Sequence, residues 1–363
     1  MTTLTTNYLT PTGREEAWRF TPLKRLGGMH DGSAIVADRH SLALTGSAVQ
    51  GVSFSLQSAS DAPALSQSDD AIVGRIRDAA RDVAVLTISA DTELSEPIIL
   101  KRTSADLTSA EFSRVQINVE SHARATIIIE NSGDTHLAED LEIHVAPGAN
   151  LTLVSLQEWD SKTVHTARQH AIVDRDATFK SIVVTIGGSV VRLLPTVEFA
   201  APGASCELLG VYFATSGQFF EHRMFVDHKV PNAKSRVNYK GALAGDQAHT
   251  VWIGDVFIRA AAEGTDTYEL NRNLLLSDGA RADSVPNLEI ETGEIVGAGH
   301  ASTTGRFDDE QLFYLMSRGI NLADARRLVV RGFFNEIISE IGQEEIQSRL
   351  MDRIDAELAK AGA

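Results

Sequence analysis

Residues 147–184, PGANLTLVSLQEWDSKTVHTARQHAIVDRDATFKSIVV, hold the pattern that decides the fold. A small turn, Gly148-Ala149-Asn150, opens into the strand-like run Leu151-Thr152-Leu153-Val154. A second turn, Asp176-Ala177-Thr178, opens into Phe179-Lys180-Ser181-Ile182-Val183-Val184. The same arrangement extends outward to His122-Ala123-Arg124, Gly203-Ala204-Ser205 and Asn232-Ala233-Lys234, with central alanines 26, 28, 27 and 29 residues apart. A period in the twenties with short strands in each repeat predicts a solenoid, because one such unit cannot bury its apolar face except on the next. The reading is mainly β: a right-handed parallel β-helix, flanked by helical regions at both ends. The pattern weakens between Ala233 and Ala280, where Glu263-Gly264-Thr265 supplies a candidate intervening turn. A two-sheet β-sandwich is the structural alternative.

Helical spacing appears on both flanks. Ser68-Asp69-Asp70 predicts a cap for a helix carrying Ile72, Val73, Ile76, Ala79, Ala80 and Val83. Near the other end, a helix starting around Leu322 carries Leu328, Val329, Phe333, Phe334, Ile337, Ile338 and Ile341, and Gly342 interrupts it. Ile346, Leu350, Ile354 and Leu358 then recur every fourth residue. The expected division is an N-terminal helical region over 1–90, a β-helix core over 91–305 and a C-terminal helical domain over 306–363. The apolar stripe of these helices reads either as packed on the chain's own domain, the usual case, or as surface beyond the capped end of the solenoid left for a partner; removing residues 322–363 is expected to leave the coils folded.

Composition bounds the function. The chain has 363 residues, 43% hydrophobic and 23% charged, and a formal net charge of −16, which disfavours nucleic acid and anionic membrane surfaces as partners. No run approaches a membrane span, and the first residues lack the basic-then-apolar order of a secretory signal, so a cytoplasmic location is expected. The single cysteine, Cys206, excludes intrachain disulfides and a cluster held by several thiolates of this chain alone. Its place at a turn entering a strand reads as a small buried hydrophobe. Among eleven histidines, the nearest pairs, His222/His228 and His165/His170, lack zinc-enzyme spacing. Neither a phosphate-binding Gly-x-x-x-x-Gly-Lys-Ser/Thr loop nor a Gly-x-Ser-x-Gly elbow is present.

One stretch carries candidate chemistry. In Pro286–Ile320, an alternating run through Leu288 and Ile290 leads to Gly297-Ala298-Gly299-His300-Ala301-Ser302, and Asp308-Asp309-Glu310 then marks a helix start. His300 reads either as a ring satisfied by carbonyls in a tight turn or as a presented ligand.

This stretch resembles the C-terminal core of the SufB/SufD family, scaffolds of the SUF iron–sulfur cluster assembly system. The matching pieces are Pro286-Asn287-Leu288-Glu289-Ile290, the His300 turn, Asp309-Glu310-Gln311-Leu312-Phe313-Tyr314-Leu315, Ser317-Arg318-Gly319-Ile320, and Gly332-Phe333 with Glu336. Asn271-Arg272-Asn273-Leu274-Leu275-Leu276 and Glu16-Ala17-Trp18-Arg19-Phe20-Thr21-Pro22-Leu23 match as well. The family's usual cysteine two residues before the histidine is Ala298 here, and the lack of cysteines favours SufD over a SufB-like paralogue acting as the cluster scaffold itself.

The resemblance implies a non-catalytic scaffold whose His300 meets a SufB-like paralogue and serves iron entry. It implies a SufC-like ABC ATPase docking near Leu312, Phe313, Tyr314, Arg318, Phe333, Phe334 and Ile337. It further implies no tightly bound cofactor on this chain alone and a transient iron or cluster at the interface, and it leaves open a flavin in the complex and a homodimer in isolation. A β-helix enzyme acting on polysaccharide is the remote alternative, disfavoured by the missing signal segment and missing catalytic cluster.

Overall fold

Corner residues explain why the chain coils. Just before each buried turn alanine the backbone adopts positive φ: 59° at His122, 69° at Gly148, 54° at Asp176, 82° at Gly203 and 57° at Asn232. Ala123, Ala149, Ala177, Ala204 and Ala233 then fill the inside of each corner with at most 1% exposure, leaving no room for a larger side chain. Glycine alternates with side-chain-bearing residues down this column for a steric reason. A Cβ on Gly148 would stand 2.6 Å from the His122 ring, and one on Gly203 would stand 2.0 Å from Asp176 Oδ1.

The computed structural model describes residues 8–62 and 66–360. Strands β1 (Leu42–Leu44) and β2 (Val52–Ser58), helix α1 (Ala71–Ala79) and strand β3 (Asp82–Ile88) precede two long strands, β4 (Ile98–Val119) and β5 (Arg124–Val145). Ten strands follow in pairs, two to a coil: β6 (Asn150–Trp159) and β7 (Val164–Val173), β8 (Thr178–Thr185) and β9 (Val190–Phe199), β10 (Ser205–Ala214) and β11 (Phe219–His228). The last two pairs are β12 (Lys234–Leu243) with β13 (His249–Ile258), and β14 (Asp266–Leu275) with β15 (Arg281–Ile290). Strand β16 (Gly297–Gly305) begins a further coil and leads into helices α2 (Asp309–Ser317), α3 (Leu322–Ile338) and α4 (Glu344–Lys360).

Even-numbered strands from β6 to β16 stack in parallel as one face, and odd-numbered strands from β7 to β15 as the other; β5 pairs with β6 through its first half and β7 through its second. The result is a parallel β-solenoid of about eight turns. Asn150 pairs with Thr178, Thr178 with Ser205, Ser205 with Lys234, Lys234 with Asp266, and Asp266 with Gly297. The predicted β-helix is therefore observed, and the antiparallel sandwich is not. The weak stretch is a full coil whose corner is Ala262, Gly264 (φ 71°) and Thr265.

Strands here are apolar on both sides. Ile127 and Ile129 point into the interior between the faces, while Ile128 points outward into a second apolar layer with Val154, Ile182, Leu209 and Phe213. That outer layer is covered by Val330, Phe334, Ile337, Leu350, Ile354 and Leu358 of α3 and α4. Charges fasten its rim: Lys240 Nζ donates to Glu336 at 2.6 Å and to the Phe333 carbonyl at 3.0 Å, and Arg349 donates to Glu130 and Glu158, both at 2.8 Å. Asp308 and Asn321 cap α2 and α3, and Gly342, at φ 70°, ends the segment before α4.

Two expectations are corrected. The C-terminal helices lie along a face of the coils rather than beyond their end, so their apolar stripe is core and not spare surface. Residues 1–90 are not a helical region: among the described ones there is a single α-helix, and β3 pairs in parallel with β4. Asp70 does cap that helix as expected, accepting from the Ile72 and Val73 amides, but the helix stops at Ala79 and Val83 belongs to β3. This N-terminal segment covers the opposite face of the solenoid with Trp18, Leu26, Met29, Ile72 and Ile76. The Arg192 guanidinium lies 3.9 Å from the Trp18 ring centre, and Arg25 donates to the carbonyls of Ser189 and Gly217 at 2.8 Å.

Removing residues 322–363 would expose the outer apolar layer, so the truncated chain should lose cooperative unfolding rather than stay folded. Phe334→Ala should cost about 3–5 kcal/mol in denaturant unfolding, whereas Phe313→Ala should stay within about 0.5 kcal/mol, because only Phe334 is core. Equal costs for the two variants would contradict the placement of α3.

Candidate functional site at the open end of the solenoid

His300 lies inside β16, not in a turn. Gly297–Gly305 pairs residue by residue with β14, and His300 is opposite Glu269. Small residues suit this last strand because it stacks on the Tyr268 ring: a Cβ at Gly299 would stand 3.1 Å from that ring. Alternation assigns Ala298, His300 and Ser302 to the inward side, continuing the columns of Thr267, Glu269 and Asn271. The coil that β16 begins is not completed by another strand, so this inward-facing imidazole is nevertheless exposed, and it makes no side-chain hydrogen bond among the described residues. The carbonyl-satisfied turn is thus not what the fold builds. An open cleft of about 680 Å³ beside it is lined by Phe225, Asp255, Phe257, Asn287, Glu289 and His300, among others.

Glu269 is the residue sequence reading missed. It is 1% exposed, and both carboxylate oxygens lack a hydrogen-bond partner. Gly254 on the facing strand makes room for it, since a Cβ there would stand 2.7 Å from Glu269 Oε1. Burial, reinforced by the nearby charge of Asp255, pushes its carboxyl up to about 8. Its polar neighbours are better satisfied. Asn271 Nδ2 donates to the Tyr212 hydroxyl at 2.9 Å, Tyr212 donates to Asn273 at 2.6 Å, and Ser284 donates to Asn271 Oδ1 at 2.8 Å. A 31-residue phase back from His300 would have pointed to Glu269, but the corner at 262–265 carries threonine where the earlier corners carry alanine.

The other candidates separate cleanly. Cys206 lies in the inward column that runs through Ser235 and Thr267 to Ala298, yet it is buried, and burial pushes its thiol well up. It is a packing residue, as its turn-to-strand position suggested. The histidine pairs serve the coils: burial lowers His222 to about 3 and His228 to about 4, with Nε2 of His222 sharing a hydrogen bond with Thr185 and that of His228 with Ser235, both at 2.9 Å. His165 bonds Gln157 at 3.0 Å and His170 bonds Thr196 at 2.7 Å. No group of three or more His, Cys, Asp or Glu side chains arranged to hold a metal occurs among the described residues.

Of the expected docking residues, Phe313 and Tyr314 are 73% and 56% exposed, and Arg318 stacks on Tyr314 while donating to its hydroxyl at 2.9 Å. Leu312 is buried and Phe333 half-buried, while Phe334 and Ile337 belong to the core under α3 and reach no surface. Beside them, a depression of about 340 Å³ is lined by Gln311, Leu315, Leu328, Val329, Gly332 and Phe333. No helix among the described residues is long and apolar enough to cross a membrane.

The unfolded chain ionises Glu269 from about pH 4.5 upward, whereas the fold keeps it neutral until about pH 8, so this group subtracts stability as pH rises between those values. Glu269→Gln should therefore match the wild type near pH 4 and gain on the order of 4 kcal/mol by pH 8 in metal-free denaturant unfolding. A gain that does not change with pH would refute the buried neutral carboxyl. His300→Ala, which removes an exposed and unpaired ring, should shift stability by less than about 0.5 kcal/mol.

Comparison with known proteins matches this architecture to a family. The model of the SUF system FeS cluster assembly SufBD core domain covers residues 101–333, from β4 into α3. The chain is 48% identical to an iron–sulfur cluster assembly SufBD family protein of Mycobacterium tuberculosis over 96% of this chain and 89% of that protein. It is 46% identical to one of Mycobacterium leprae, over 96% and 90%. It is 25% identical to the iron–sulfur cluster assembly protein SufD of Escherichia coli, over 96% and 89%. With a match over most of its solenoid and near-half identity along almost its whole length, the chain belongs to the SufBD family of iron–sulfur cluster assembly proteins.

Proposed function

We propose that this chain is a non-catalytic, SufD-like scaffold subunit of a cytoplasmic cluster-assembly complex. In this reading its open end, β15 and β16, meets a SufB-like paralogue, and His300 offers iron a ligand at that junction as cargo passes. The observation that carries the reading is His300 itself, an exposed imidazole on the last strand of the solenoid with no side-chain hydrogen bond among the described residues. Neutral imidazole suits ferrous iron. Full-length similarity to a protein named SufD supports this half of the pair over a SufB-like role, and so does the lone, buried, hard-to-ionise Cys206, which is unsuited to carrying sulfur.

The same proposal assigns ATP hydrolysis to a SufC-like ABC subunit docking on α2 and the exposed side of α3. Phe313, Tyr314, Met316, Leu322 and Leu328 form the apolar surface available there, with Arg318 beside them. Phe334 and Ile337 support that surface from beneath.

Reconstitution with a cysteine-bearing SufBD paralogue and the ATPase tests both halves. His300→Ala should assemble at normal stoichiometry and lose at least tenfold of its cluster content when prepared without oxygen. Phe313→Ser with Tyr314→Ser should weaken ATPase binding at least tenfold with little change in thermal midpoint. Normal cluster content in the first variant, or unchanged ATPase affinity in the second, would remove the corresponding assignment.

A further inference from the structure

Among the described residues the carboxylate of Glu269 makes no hydrogen bond. It sits in the interior at 1% exposure with both oxygens unpartnered, in a place where an apolar or amide side chain would cost less. Its surroundings are built to admit it: Gly254 leaves the space it occupies, and the overlying strand offers Ala298, Gly299 and Ala301 around a single functional ring. That ring is His300, its register partner on the adjacent parallel strand and the same inward side. Adjacent strands lie about 4.8 Å apart. Two side chains leaving one face at that separation can reach a common ion at metal–ligand distances of about 2.0–2.2 Å. The register pair is one oxygen donor and one nitrogen donor, a set that suits ferrous iron and its divalent neighbours.

We propose that Glu269 and His300 together form a two-ligand divalent-metal half-site in the last coil, which makes Glu269 a second iron ligand of this chain. Two side chains leave the remaining positions to water or to a group from outside the chain, in keeping with the absence of a three-residue metal cluster among the described residues. The half-site rests on the scaffold reading for its purpose, since it would hold iron at the junction where His300 is exposed, but its existence is a property of the isolated chain.

The test uses the full-length metal-free chain without partners. It is titrated with Co²⁺, and with Fe²⁺ in the absence of oxygen, and followed by calorimetry, by the visible absorption of bound cobalt and by the shift in thermal midpoint. One equivalent should bind, and Glu269→Gln and His300→Ala should each weaken binding at least tenfold. Midpoints measured without metal verify that both variants are folded. Unaltered binding by Glu269→Gln, or no binding by the wild type at millimolar metal, overturns the half-site. Either result alongside normal cluster content in the reconstituted complex would leave the scaffold assignment standing, whereas intact metal binding with no complex formation would do the reverse.

Discussion

Register is the constraint on which the rest of this protein depends. Every strand of a coil hydrogen-bonds to the strand one coil away with no slip from β5 to β16, so a residue's environment is set by its column. A one-residue slip would exchange inward and outward side chains along a whole face. The corner column enforces the phase: positive φ followed by a buried small residue, alanine from Ala123 to Ala233 and then Thr265, recurs along the coils, and glycine alternates with larger residues because the larger one lies over it. Stability then accumulates by stacking, and a coil can tolerate polar contents if its neighbours are well packed.

Both outer faces of the solenoid need cover, and each is covered differently. The face under α3 and α4 is apolar and rimmed by ion pairs, as a surface helix requires. The face under the N-terminal segment carries buried charge. Arg168 donates to Asp140 at 2.7 Å and Glu142 at 2.8 Å, with Arg77 reaching Asp140 from α1 at 3.0 Å. Such networks add little net stability over apolar packing, yet removing one partner leaves a charge stranded. They specify how the N-terminal segment seats, where the apolar layer alone would permit sliding.

Along the interior, polar side chains mix with apolar ones in early and late coils alike. Arg102 pairs with Glu139 near the start, Ser155, Gln157, His165 and Gln169 share hydrogen bonds in the next coils, and Thr267, Glu269, Asn271 and Asn273 occupy the inward positions of β14. Amide and hydroxyl groups there close a hydrogen-bonded network across three coils, while among these four β14 side chains only Glu269 has polar atoms with no partner among the described residues. Natural folds depart from good packing mostly where function asks for it. Here the departure adjoins the end of the solenoid that no element among the described residues covers, beside His300.

From the sequence by itself came the solenoid, because its signal is local: turn alanines 26 to 29 residues apart, most of them opening a strand-like run. The Asp70 and Asp308 caps, the buried Cys206 and the family were legible for the same reason, since each rests on a few adjacent residues. Tertiary structure decided everything that depends on two columns or two faces meeting. The apolar stripe of α3 and α4 has the same spacing whether it covers a sheet or awaits a partner, so only packing could assign Phe334 to the core and Phe313 to the surface. His300 looked like a turn residue because Gly297 and Gly299 precede it and glycine favours turns. Pairing with β14 made it a strand residue and set it opposite a carboxylate 31 positions earlier, a juxtaposition that exists only once the coils are stacked in register.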